Sequence, residues 1–280
     1  MKGHNMIKIK NIKTGEMFDV SPTKFPDGTS QVWKLQIDKL QNSMVDIVWY
    51  FEQEAELIWV NQLIVLLNQQ DIRIRQLYIP YLPYGRQDKE VSNETTFAKT
   101  VFLEMLLTEM VGDVTTLDAH SRHAKVMSYS PYRYIKKAMD EFQPDLVVFP
   151  DKGASFRYSN IVGDNFLVLD KTRNQLTGEI TGLKFNDVVR ASYMLSNIKS
   201  DNVRILIVDD ICDGGATFNN ASMFLHTSLN KTGRKAKIGL YVTHGIFSKG
   251  YEKMIDSGIS EFYTTQSLLK NVNGYELEEV

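Results

Sequence analysis

Short apolar runs rich in β-branched and aromatic residues recur along the chain at Val45–Tyr50, Gln76–Pro80, Val114–Leu117, Leu146–Phe149, Phe166–Leu169, Val203–Val208 and Ile238–Thr243. They predict buried strands. Between them, Glu54–Asn68 and Thr96–Met110 carry apolar residues at three- and four-residue spacing, and Thr217–Leu229 opens a further helix directly after two glycines. Strands alternating with helices predict an α/β fold with mainly parallel sheets flanked by helices. The periodicity breaks at Ser128–Tyr134, where a second α/β set begins. Two similar domains are expected, residues 1–130 and 131–264, with the segment from about 265 to 280 packing back on the first.

Polar residues able to do chemistry gather at the ends of these strands. Gln76–Pro80 is followed by Tyr84-Gly85-Arg86-Gln87-Asp88, and Val114–Leu117 by Asp118-Ala119-His120. Leu146–Phe149 runs into Pro150-Asp151-Lys152-Gly153, and Phe166–Leu169 into Asp170-Lys171-Thr172-Arg173. Val203–Val208 leads into Asp209-Asp210-Ile211-Cys212-Asp213-Gly214-Gly215-Ala216-Thr217, and Ile238–Thr243 into His244. Ligands of open parallel sheets bind outside the carboxyl ends of the strands, so the recurrence points to a site.

The acidic loop is the most specific of these motifs. Gly214 and Gly215 let backbone approach a phosphate, and the helix after them offers free N–H groups. Asp209 and Asp210 suit a ribose hydroxyl or Mg²⁺. The plain alternative is a strand-turn-helix capped by Asp213. Lys171 and Arg173 could stabilise a developing phosphoryl charge, or form an ordinary solvated turn. Arg86 can stack on a base or fork onto phosphate oxygens, with Gln87 adding a directional hydrogen bond. His120 could contact a metal or a phosphate; His123 is the blander histidine, and Cys212 reads as packing.

Composition narrows the ligand. The formal charge of −2 over 280 residues gives no basic excess for nucleic acid or an anionic membrane, so a small-molecule substrate is expected. Cys212, the single cysteine, suits a reducing compartment. The most apolar helical stretch, Leu57–Leu67, is interrupted by Asn61 and Gln62 and falls short of the roughly 20 residues that cross a bilayer. With no apolar signal core at Met1–Asn5, a cytoplasmic protein is expected.

Taken in order, these motifs resemble the ribose-phosphate diphosphokinase (phosphoribosyl pyrophosphate synthetase) family, including its phage-borne divergent members. The resemblance runs from Phe25-Pro26-Asp27-Gly28 to Thr243-His244-Gly245-Ile246-Phe247-Ser248 and spans nearly the whole chain. It implies two type I phosphoribosyltransferase-like domains and Mg²⁺-dependent transfer of the β,γ-diphosphate of ATP to the anomeric hydroxyl of ribose 5-phosphate. By the same resemblance, Phe25, Asp27, Arg86, Gln87 and His120 would bind ATP, Phe25 and Asp27 reaching the nucleotide of a neighbouring subunit in a homo-oligomer. His120 and Asp151 would bind Mg²⁺ or its waters, and Lys171 and Arg173 would be catalytic. Asp209, Asp210, Asp213, Gly214, Gly215, Ala216 and Thr217 would hold the ribose phosphate.

The chain departs from the family at three places. The family's loop reads Asp-Thr-Gly-Gly-Thr where this one has Asp213-Gly214-Gly215-Ala216-Thr217, Thr29 stands for a glutamate, and Ala154 for a glycine. The altered loop keeps ADP-ribose, a substrate linked to NAD metabolism, as an alternative acceptor. A phosphoribosyltransferase shares the acidic loop but needs neither the second domain nor the basic pair. A catalytically silent regulatory subunit would have no reason to keep that pair.

Overall fold

In the computed structural model the described residues are 6–88, 90, 92–106, 108–173, 180–268, 270 and 273–277, with backbone alone at 172, 173, 180 and 181. Two compact units divide between Ser130 and Pro131; of the segment expected to pack on the first, Ser267–Lys270 groups with it, while Gln266 and Tyr275 group with the second, Tyr275 donating to Glu141 Oε2 at 2.9 Å.

The first unit contains β1 (Ile7–Asn11), β2 (Met17–Val20), β3 (Pro22–Lys24), β4 (Ser30–Val32), β5 (Met44–Trp49), α1 (Glu56–Gln69), β6 (Arg73–Tyr78), α2 (Ala98–Met105), β7 (Asp113–Leu117) and β8 (Met127–Tyr129). Its sheet has the order β2-β1-β5-β6-β7-β8. Strands β5 to β8 are parallel, whereas β1 runs antiparallel to both β2 and β5. The helix expected over Thr96–Met110 stops at Met105, because Leu106 turns extended and a single 3₁₀ turn, Thr108–Met110, follows. Both Leu106 and Val111 reach the core by this break.

A buried polar ladder crosses this sheet. Asp46 on β5 accepts from Arg75, whose Nε lies at 2.8 Å, and from Gln76 Nε2 at 3.0 Å; Gln76 Oε1 in turn accepts from Thr115 and Tyr129 at 3.1 and 3.2 Å. Four adjacent strands thus take part, β5, β7 and β8 with one member each and β6 with two. Replacing Gln76 by leucine strands its partners, and the urea midpoint is expected to fall by an amount equivalent to about 1–3 kcal/mol.

The second unit contains α3 (Tyr132–Phe142), β9 (Leu146–Phe149), α4 (Lys152–Val162), β10 (Phe166–Arg173), β11 (Ile180–Phe185), α5 (Val188–Asn197), β12 (Asn202–Cys212), α6 (Ala216–Asn230), β13 (Lys235–Gly245), α7 (Glu252–Asp256) and β14 (Ile259–Thr264). Its sheet order is β11-β10-β9-β12-β13-β14, parallel except for β11. Strand residues alternate between two cores. Leu146, Val148, Ile205, Ile207, Leu240 and Val242 pack with Ala191, Ala221 and Leu225 of α5 and α6. Val147, Phe149, Leu206, Val208 and Tyr241 pack with Ile135, Phe142 and Tyr158 of α3 and α4. Burial on both faces is why these strands read as unbroken apolar runs.

Candidate active site

The strand order of the second sheet reverses at β9: the chain moves outward to β10 and then returns to place β12 on the other side. The carboxyl ends of β9 and β12 flank that switch point, where α/β sheets bind ligands. Asp151 follows β9 and caps α4, its Oδ1 accepting from Ala154 N at 3.0 Å. Two turns along α4, Arg157 donates to Asp210 Oδ2 at 2.7 Å and lies 3.7 Å from Asp209 Oδ1. Burial, then the neighbouring Asp210 and Asp151 charges, push the Asp209 carboxyl well above the usual carboxylate range. One guanidinium does not offset a surplus of buried acids.

Asp209 and Asp210 lie within the ladder, since β12 continues past the apolar run to Cys212, opposite Gly245. The turn itself is therefore short. Gly215 has φ +77°, and a Cβ there would stand 2.9 Å from Met254 Sδ, so glycine is needed both for the conformation and for the space. Helix α6 then begins at Ala216 with no side-chain cap, leaving the first N–H groups directed at the turn. Ser248 closes the turn from the other side, donating to Asp213 Oδ1 at 2.6 Å. The aliphatic stem of Lys249 covers Gly214, with Cδ 3.3 Å from where a Cβ would be. Cys212 is buried, which pushes its thiol up to about 12 and leaves it a packing residue.

Lys171 belongs to a strand, not to a basic turn. It is paired with Leu183 in the antiparallel β10–β11 hairpin. Asp170 beside it accepts from Asn186 Nδ2 at 2.5 Å and lies 3.7 Å from Lys152 Nζ. The backbone of Arg173 ends β10, while its side chain lies outside the described residues. His244 is buried at the penultimate position of β13, opposite Ile211.

In the first unit the loops after β6 and β7 meet. Ser121 Oγ lies 2.7 Å from Gly85 O and 3.1 Å from Gln87 O, which joins the His120 loop to the Arg86 loop. Gln87 Oε1 accepts from Lys99 N at 3.0 Å, so one end of this side chain already serves the start of α2. Arg86 and His120 are exposed. Phe25 and Asp27 belong to a different element, the β3–β4 hairpin packed on α1, where Gln62 bonds to Val32 N and Ser30 O. The Asp27 carboxylate is held below its ordinary value by the hydroxyl and N–H of Thr29, so it is also a turn-forming group. Phe25 lines a cavity of about 700 Å³ with Ile58 and Val65. Among the described residues no three or more His, Cys, Asp or Glu side chains form a metal-ligating cluster.

Arg157 and Lys99 were not marked by any strand-end motif. Arg157 had the nearest signal, being a cation on the helix that follows Asp151. Its acids, however, are more than 50 residues downstream, with 53 residues separating it from Asp210.

Carboxylates, a helix N-terminus without a side-chain cap and a lysine thus gather at the carboxyl ends of the parallel strands of an α/β fold. No family model matches the sequence. Curated ribose-phosphate pyrophosphokinases do: that of Sulfolobus acidocaldarius is 23% identical over 98% of this chain and 92% of its own. Those of Pyrococcus abyssi and Pyrococcus furiosus are 26% and 27% identical, over 92% and 89% of this chain and 87% and 86% of theirs. The crystal structure of phosphoribosylpyrophosphate synthetase from Mycobacterium smegmatis superimposes with a TM-score of 0.65 at 18% identity, over 92% of this chain and 85% of that one. The chain has the phosphoribosyltransferase-like two-domain fold and is a homologue of the ribose-phosphate pyrophosphokinases, a diphosphotransferase-type enzyme.

Proposed function

We propose that the protein transfers the β,γ-diphosphoryl group of ATP to the anomeric hydroxyl of ribose 5-phosphate, giving phosphoribosyl pyrophosphate and AMP. The observation that carries this reading is the switch point of the second sheet, where Asp209 and Asp210 stand beside a glycine turn and an uncapped α6 N-terminus. The acids suit the ribose hydroxyls; the turn Asp213–Thr217 and the helix N-terminus suit its 5-phosphate. In the transfer the anomeric oxygen bonds to the β-phosphorus as the bond from that phosphorus to the α,β-bridging oxygen breaks. AMP leaves with that oxygen, and the hydroxyl proton is released. Lys171 and Arg173 would stabilise the charge in flight, and Arg86, Gln87 and His120 would hold the nucleotide.

The surplus of carboxylates around Asp209 suits a divalent cation. Mg²⁺ would bind through His120, Asp151 or its own waters and the substrate phosphates, screening their charge. Phe25, 38% exposed on the hairpin, supports a contact to a second copy's nucleotide and so a homo-oligomer. A lone buried cysteine supports a cytoplasmic setting. Among the described residues no helix is long and apolar enough to cross a membrane.

Incubation with ATP, Mg²⁺ and a sugar tests the assignment. AMP should form with ribose 5-phosphate and not with ADP-ribose, the acceptor left open by Gly214 and Ala216. AMP with ADP-ribose alone would move the acceptor assignment to the diphosphate sugar, and AMP with neither would overturn the proposed reaction.

A further inference from the structure

We infer that Lys99 is a positioning residue for the nucleotide, setting the Arg86 loop from beneath through Ser121; this rests on the proposed use of ATP. Lys99 is 1% exposed on α2. Its Nζ donates to Ser121 Oγ at 2.7 Å, and Ser121 Oγ is within hydrogen-bond reach of the carbonyls of Gly85 and Gln87, one on each side of Arg86. A second link runs from the Lys99 backbone N–H to Gln87 Oε1 at 3.0 Å. One helical residue thus grips both chain neighbours of Arg86.

The rest of the loop is fixed independently. Gln87 N bonds to Tyr84 O at 2.9 Å, Tyr84 has φ +56°, and its hydroxyl donates to Glu54. Gly85 is buried and Arg86 exposed, so the frame presents a single guanidinium outward.

Packing alone does not explain an ammonium in this position. Burying a charge is costly, and a leucine or methionine would fill the same space in α2 without that cost. The ammonium also lies over the Phe97 ring, 5.3 Å from its centroid, and places a fixed positive charge under a loop expected to meet phosphates. Burial, then the Lys99 and Lys125 charges, hold the nearby His123 imidazole below its ordinary value.

The experiment compares Lys99→Met, Ser121→Ala and the double variant with the wild type in ATP-dependent AMP release, each with a urea unfolding curve. Either single change should raise KM for ATP about tenfold, the loss of one charge-assisted hydrogen bond. The kcat and the KM for the sugar should stay within about twofold, and the double variant should be no worse than the worse single one, because both act along one chain of bonds. A folded Ser121→Ala protein with an unchanged KM for ATP overturns the inference, even if Lys99→Met does not fold. Calorimetric titration of ATP into the same proteins keeps the two readings separable. Wild type that binds ATP without releasing AMP defeats the reaction, while weakened ATP binding in the variants still upholds the role of Lys99.

Discussion

Replacing Lys171 by alanine is expected to lower kcat for AMP release by about 10²–10³-fold, the effect of removing one preorganised charge-stabilising group. The backbone pairing of Lys171 with Leu183 does not depend on its side chain, and the ammonium makes no ion pair among the described residues. Stability should therefore change by no more than about 0.5 kcal/mol. ATP binding, assigned to Arg86, Gln87 and His120 in the first unit, should persist in the calorimeter. An alanine variant with full turnover would mean that the diphosphoryl charge is stabilised elsewhere.

Arg157→Leu is expected to cost about 3–5 kcal/mol of stability, because it leaves buried carboxylates without their cation. Asp210 is 1% exposed and takes its 2.7 Å bond from this guanidinium. The sign of the pH dependence follows from Asp209, whose folded pKa lies above its unfolded value. The folded state holds that proton longer, so stability is greatest below about pH 4 as far as this group is concerned and falls as pH rises toward the folded value. Without Arg157, Asp210 joins the same trend, and the deficit should be larger at pH 8 than at pH 5. Urea unfolding in the presence of a chelator measures both; an equal deficit at the two pH values would assign Arg157 to packing.

What the sequence revealed follows from how locally each feature is determined. The run Leu146–Phe149 matches β9 to the residue because all four side chains are buried and nothing polar interrupts them. The run Val203–Val208 stops short of the true end of β12, since Asp209 and Asp210 break the apolar pattern while the ladder to β13 continues. Lys171 looked like part of a turn for the same reason: β10 is carried past Leu169 by pairing with β11, a partner that does not read as an apolar run. The β1–β2 hairpin alternates Ile7 and Ile9 with Lys8 and Lys10, a half-buried pattern that a search for fully buried runs passes over. Asp209, Asp210 and the glycine turn were visible because consecutive residues build them. Arg157 and Lys99 were not, because their partners arrive only with the folded sheets.

Transfer of the diphosphoryl group as one piece is read out with labelled ATP. With ATP carrying ³²P at the γ-position, ribose 5-phosphate and Mg²⁺, the label is expected in the sugar product, with one AMP for each sugar labelled. ADP as the nucleotide product, or label released as free phosphate with the sugar unlabelled, would contradict it.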